Sequence, residues 1–266
     1  MESSALSLHR RSHIVKSTAL GIVQRSPNCH DWRVPERESA PRTARARARA
    51  ELTQEILETA RAHLSSDGAA GLSLRAVARD LGMVSSAIYR YFPSRDELLT
   101  ALIIDAYNSL GDAAEAAEAV IKRSDLKGRW VAISKATRGW ALAHPHEWSL
   151  IYGSPVPGYQ APQDTIAPAT RVSTLLIGIL IDLEQAGLTP APLTVPRAVH
   201  ATLGPVRSAV PSAVPDDLII RGLMAWTQLL GAVGMELNGQ FHNVVDDPGI
   251  YFDLAMQRVA LNLGID

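Results

Sequence analysis

Residues 73–99 read SLRAVARDLGMVSSAIYRYFPSRDELL, and this stretch decides the fold. Leu74, Val77, Ala78 and Leu81 recur at three- and four-residue spacing, which gives a short helix one apolar face. Ser73 stands where a helix-capping side chain belongs, and Gly82 stops the helix. A second short helix is expected over about 85–91, broken by Pro93. Ser94 then opens a long helix, with Glu97 completing a capping box and Leu98, Leu99, Leu102, Ile103 and Ala106 continuing its apolar stripe. Two short helices joined by a tight glycine turn make a helix-turn-helix, whose second helix enters the major groove while the first crosses the backbone. Val77, Ala78, Leu81 and Ile88 are the residues expected to fix the angle between them. Gly82 supplies a left-handed turn that a Cβ would disfavour by about 1–2 kcal/mol. The face left exposed on the second helix is Ser85, Ser86, Ala87, Arg90 and Tyr91. Short hydroxyls, a methyl, a guanidinium and a phenol suit base edges, thymine methyls and phosphates.

Upstream, Leu52, Ile56, Leu57, Ala60 and Leu64 mark a first helix running to about Leu64, ended by Gly68 and Gly71. The run Arg42, Arg45, Arg47 and Arg49, spaced by alanines, flows into it. This run reads either as an arm adding phosphate or minor-groove contacts or as a solvated helix start. Residues 1–41 have no sustained period and contain Pro27, Pro35 and Pro41. They read as a disordered tail, or as translated sequence upstream of the true start. Downstream, helices are expected over about 124–144, 147–153, 163–187, 196–209, 216–240 and 247–263, separated by proline-bearing breaks. Strand signals are nearly absent. The fold is therefore all-α: a tail over 1–41, a helix-turn-helix domain over 42–107, and a larger helical bundle over 108–266.

A length of 266 residues accommodates one large domain or two modest ones. Hydrophobic residues at 47% and charged residues at 20% exclude global disorder, collagen and a coiled-coil rod. The single cysteine, Cys29, excludes an intramolecular disulfide framework and a cysteine-based zinc finger. The net charge of −1 hides a split: residues 1–95 carry 15 Lys+Arg against 9 Asp+Glu, and residues 96–266 carry 11 against 18. A polyanion-binding amino-terminal part and a different task for the rest follow.

The run Ile88–Tyr89–Arg90–Tyr91–Phe92, with Ser94–Arg95 and Leu98, follows a Leu81–Gly82–Met83 turn and precedes a long helix. Together with Ser73, Val77 and Ala78 it closely resembles the DNA-binding domain of the TetR family of bacterial transcriptional repressors. The resemblance spans roughly residues 48–107. Residues 141–145 (ALAHP) and 147–159 (EWSLIYGSPVPGY) resemble the ligand-binding domain of an actinobacterial-type subgroup of that family. The resemblance implies a homodimer on palindromic double-stranded operator DNA, a small-molecule effector in the bundle, and dimerisation through the last two helices. It maps DNA contacts onto Ser73, Arg75, Ser85, Ser86, Ala87, Tyr89, Arg90, Tyr91 and Arg95. Arg95 is expected to hold backbone phosphate, aided by the positive end of the long helix. Against this stand plainer readings: packing for Tyr89 and Phe92, and solvated surface charge for Arg75 and Arg79.

Trp130, Trp140, Trp148, Tyr152 and Trp226 are candidate walls of an effector pocket, each equally readable as ordinary core. No catalytic motif and no cofactor site is found. His144 and His146 lack the spacing that puts two metal ligands on one helix face. Asp216–Asp217 and Asp246–Asp247 read as acids complementing helix starts. Residues 218–237 reach the length of a membrane span but contain Arg221, Gln228 and Glu236, so they read as a helix of a soluble bundle. The expected protein is a cytoplasmic, ligand-released repressor and not an enzyme. The competing readings are an all-α binding protein or enzyme with a vestigial DNA module, and a regulator that activates or needs no ligand.

Overall fold

The computed structural model describes residues 44–188, 190 and 192–265. The expectations for residues 1–41 and for Arg42 lie outside these. Twelve helices and one 3-10 turn, with no strand, make up the regular structure among the described residues. The head comprises α1 (Ala44–Gly71), α2 (Leu74–Asp80), α3 (Ser85–Ile88) and the start of α4 (Arg95–Ala119). The bundle adds α5 (Leu126–Ala143), α6 (Pro145–Tyr152), α7 (Ile166–Ala169), α8 (Arg171–Gln185), α9 (Arg197–His200), α10 (Gly204–Arg207), α11 (Asp216–Leu237) and α12 (Pro248–Leu263).

Three expected helices take a different form. Residues 163–187 are a 3-10 turn (Gln163–Thr165), then α7, then α8, with the axis bent by 50°. Pro168 has no N–H to continue the ladder there. Residues 196–209 form two single turns, α9 and α10, divided ahead of Gly204–Pro205. α6 starts at Pro145 itself, because a missing N–H costs nothing at the first helical position. Elsewhere caps form as the sequence leads one to expect. The Ser94 hydroxyl accepts from the Glu97 N–H at 3.1 Å, and the Asp247 carboxylate accepts from the N–H groups of Gly249 and Ile250. Ser73 sits at the N-cap of α2 but its hydroxyl makes no cap bond.

α4 runs through both parts, so no linker separates head from bundle. It packs against α1 in the head and against α5, α6, α7 and α8 in the bundle. One apolar core extends from Ile56 to Ile265, and α4 gives it Leu98, Leu99, Leu102, Leu110 and Ala114. Charged side chains fasten α8 to its neighbours. Arg171 reaches across α4, donating to Glu115 at 2.7 and 2.8 Å, to Asp112 at 2.5 Å and to the Asn108 carbonyl at 2.8 Å. It fits because residue 111 is glycine: a Cβ there would stand 2.6 Å from Arg171 Nε. Arg129, 7% exposed, holds Glu118 and Asp182, each at 2.6 Å. Burial pushes the Asp182 carboxyl up, but hydrogen bonds from Arg123 and Arg129 outweigh that and hold it below the usual value.

The turn between α2 and α3 depends on Gly82, whose φ is 65°. Its N–H donates to the Arg79 carbonyl at 3.0 Å, and the Met83 N–H to the Ala78 carbonyl at 2.8 Å, which closes the end of α2. Gly82→Ala keeps the space, since nothing lies within 4 Å of the new methyl, but strains the backbone. It should lower the unfolding free energy by about 1 kcal/mol in urea denaturation.

Candidate nucleic-acid interface and internal cleft

Val77, Ala78 and Ile88, all 0% exposed, lock α2 against α3, and Phe92 closes the same core at 7%. Phe92 is thus packing. α3 itself is one α-helical turn; residues 89–91 tighten, with Arg90 N–H donating to the Ala87 carbonyl and Tyr91 N–H to the Ile88 carbonyl. This leaves Ser85, Ser86, Tyr89 and Arg90 exposed together, with Ala87 half-buried among them. Tyr91 is half-buried, and the Arg49 guanidinium lies 5.0 Å from its ring centroid. Arg49 Nη2 also donates to the Arg90 carbonyl at 3.0 Å. The exposed residues Arg45, Arg47 and Arg49 at the start of α1 are thereby brought beside the end of α3. At the start of α2, Arg75 is exposed and Ser73 is half-buried with its hydroxyl uncommitted to the helix cap.

Arg95 is turned inwards. Its guanidinium donates to the carbonyls of Leu72 at 3.0 Å, Ala69 at 2.7 Å and Ala70 at 3.2 Å. Those acceptors are free because α1 ends at Gly71, so its last carbonyls have no intrahelical partners. Asp96 and Glu97 occupy the first turn of α4, where they already answer its positive end. The phosphate expected at Arg95 therefore meets a fork whose Nε and Nη2 donors are engaged, with Nη1 3.7 Å from the Asp96 carboxylate, and a helix start whose field is complemented. Two residues were not singled out from the sequence. Arg49 was read only as part of a charge run, and its position depends on where α1 passes α3. Val84, 71% exposed at the N-cap of α3, offers methyl groups beside Ser85; an apolar side chain one residue before a helix gives no signal of its own.

The bundle contains a tight cleft of about 40 Å³ between α8 and α11. Ser173, Leu176, Ile177 and Leu180 line it from α8, Ile219, Gly222, Leu223 and Trp226 from α11, and Val206 and Val210 from the segment around α10. A second chamber, a hollow of only about 10 Å³ walled by Trp130, Ile179, Ala225 and Leu263, adjoins it across Leu176, Leu180 and Gly222. Of the five aromatic candidates, Trp226 lines the first and Trp130 the second. Tyr152 and Trp148 stand behind: the Tyr152 ring is 6.2 Å from Trp226, 4.6 Å from Trp148 and 6.0 Å from Tyr107. Burial, and then proximity to Tyr107, push the Tyr152 phenol well above its ordinary value, so it stays neutral. Trp140 lines neither chamber; it donates to Ser109 Oγ at 2.9 Å and lies against His144. Among the described residues no group of three or more His, Cys, Asp or Glu could hold a metal.

The family profile described as bacterial regulatory proteins, tetR family, matches residues 56–102, and the profile for a tetracyclin repressor-like C-terminal domain matches residues 130–259. The chain is 39% identical over 212 residues to the HTH-type transcriptional regulator Rv1816 of Mycobacterium tuberculosis, covering 77% of this chain and 89% of that protein. The match to Mb1846 of Mycobacterium bovis has the same extent. The crystal structure of SCO4313 superposes with a TM-score of 0.68 at 35% identity, over 82% of this chain and 98% of that one. A Rhodococcus sp. RHA1 protein of unknown function shares the fold with a TM-score of 0.60 at 23% identity, over 80% and 93% of the two chains. The chain belongs to the TetR family of transcriptional regulators. The first profile covers the second half of α1, α2, α3 and the beginning of α4, and the second covers every residue lining the cleft except Leu263.

For a TetR-family head built this way, Arg90 and Arg95 should part company on substitution. Arg90→Ala should weaken DNA binding and lower the slope of log affinity against log salt by about one for each phosphate released, in fluorescence-anisotropy titrations across a potassium chloride series. Arg95→Ala should leave that slope unchanged and cost about 1–3 kcal/mol of stability, since three carbonyls lose their donor.

Proposed function

We propose that the protein is a homodimeric repressor that leaves its operator when a small molecule occupies the cleft beside Trp226. The observation that carries this reading is the exposed, braced turn of α3 with arginines of α1 gathered at its end. Ser85, Ser86, Ala87 and Val84 address base edges and thymine methyls, while Arg90, Tyr89, Arg75, Ser73 and the Arg45–Arg49 run address phosphates. Tyr91 supports the turn under Arg49, and Arg95 acts as a brace between α4 and α1. The protein works in the cytoplasm, where its operator is.

Dimerisation is proposed through α11 and α12. α11 is long and apolar enough to cross a membrane, yet only 33% of that apolar window is buried within the chain. Its charged residues argue for a protein partner over lipid: Glu236 is held by Arg138 at 2.6 Å, and Arg221 donates to the Asn262 carbonyl at 2.7 Å. Met224 and Met235 on α11 and Ile250, Leu254 and Leu261 on α12 are exposed at helical spacing. A Cβ at Gly231 or Gly234 would meet nothing within the chain. Two copies joined on this face would present two α3 turns to half-sites roughly 34–36 Å apart.

Release needs an effector that prefers one conformer; a shift from 1:99 to 99:1 takes about a 10⁴-fold difference in affinity. Two physical routes lead from the cleft to the head. α8, one wall, is tied to α4 by Arg171. Trp226, on the other wall, touches Tyr152 and through it Trp148 on α6, which packs against α1 and α4. An occupant that spreads α8 from α11 tilts α4 and changes the spacing of the two turns.

The test uses a palindromic fragment from the region upstream of the gene. The wild-type protein should sediment as a dimer and bind it with a steep salt dependence. Leu254→Glu should sediment as a monomer and bind at least tenfold more weakly. A dimer that survives this substitution would put the interface elsewhere, and an unbound upstream region at low salt would refute the operator.

A further inference from the structure

Four indoles in the bundle, those of Trp130, Trp140, Trp148 and Trp226, are almost wholly buried, and three of them differ sharply in what their N–H meets. Trp130 donates to the Met256 carbonyl at 2.7 Å and Trp140 to Ser109 Oγ at 2.9 Å. Trp226 is 4% exposed and its Nε1–H has no partner. Native interiors pair most buried donors, and an orphaned one costs about 1–3 kcal/mol. This orphan belongs to a wall of the cleft. The rest of the lining is aliphatic or glycine, apart from Ser173, whose hydroxyl is already donated to the Thr170 carbonyl at 2.9 Å. A bridging water needs two to four polar partners, and this lining offers only the indole and the lone pairs of Ser173 Oγ. No ionisable side chain lines either chamber.

We infer that the cleft selects an uncharged, mainly hydrocarbon molecule carrying one hydrogen-bond acceptor, a carbonyl or ether oxygen, received by Trp226 Nε1. An ionised ligand would be stripped of water with no counter-charge to meet it. A fully saturated hydrocarbon would fill the space but leave the indole unpaired. Leu180 governs the available space. It stands between the two chambers, and its Cδ1 lies 2.6 Å from where a side chain at Gly222 would begin. Rotation of Leu180 joins the chambers and opens the room that an occupant needs. This inference rests on the reading of the cleft as the effector site, and its test separates the two.

Acetophenone, ethylbenzene and benzoate are matched probes: one neutral with an acceptor, one without an acceptor, one charged. Calorimetric titration of the full chain should rank acetophenone about tenfold tighter than ethylbenzene and more than tenfold tighter than benzoate. In ¹⁵N spectra, the indole resonance missing from Trp226→Phe protein should move downfield with acetophenone and not with ethylbenzene. Trp226→Phe should bind the two neutral probes equally. The inference is overturned if benzoate matches acetophenone, if the acetophenone preference survives Trp226→Phe, if the indole resonance stays still, or if none of the probes binds. The indole shift is read in unaltered protein, so it stands even if the variant misfolds. Operator release is followed in parallel by anisotropy. Acetophenone bound with its indole shift but without release overturns the effector reading alone. Release by a compound that leaves the Trp226 resonance unmoved overturns this inference alone.

Discussion

α4 is a single rod of 25 residues shared by two bodies of packed side chains, about 37 Å long at 1.5 Å per residue. Its first turn is fastened to the end of α1 by Arg95, and its carboxyl half is gripped by Arg171 through the notch at Gly111. Between these points its buried face is continuous with the core of head and bundle alike. Interiors packed this closely do not deform by degrees; they move as units or repack. The orientation of α3 is consequently set by the whole molecule, and a change in the bundle has no flexible joint in which to dissipate.

The division of labour among the arginines follows from the same constraint. Arginines 95, 129 and 171 face inwards and are satisfied by carbonyls and carboxylates. Arg90 and the exposed start of α1 face outwards. The head carries little excess charge of its own, so its affinity for a polyanion depends on where a few guanidiniums stand. Arg49 belongs to both groups, since it braces the end of α3 while remaining exposed.

The head was legible in the sequence because its determinants are local. The turn glycine, the Ser94 cap and the apolar spacing of residues 74–103 all act within a few residues of one another. The contacts of Arg95 were not legible: its acceptors lie 23 to 26 residues away and are free only because α1 ends at Gly71. Ser73 was expected to close a helix and instead keeps its hydroxyl free of the cap. In the bundle, the breaks inside 163–187 and 196–209 were smoothed over because the apolar pattern continues across them. The cleft escaped notice for a related reason. Leucine, isoleucine and valine lining a hollow follow the same periodicity as those filling a core. The aromatic residues chosen for it were split by tertiary packing between chamber walls, a supporting cluster behind Trp226, and the unrelated Trp140–Ser109 contact.

The start of α1 has a practical corollary. Arg49 donates to the Arg90 carbonyl just past α3, and Ala44 lies little more than one helical turn before it. Ala44 thus begins the described fold on the same side as α3. A purification tag or carrier attached there would share that side with the DNA that α3 is proposed to contact, and a dissociation constant measured on such a fusion would report the appendage as well as the protein.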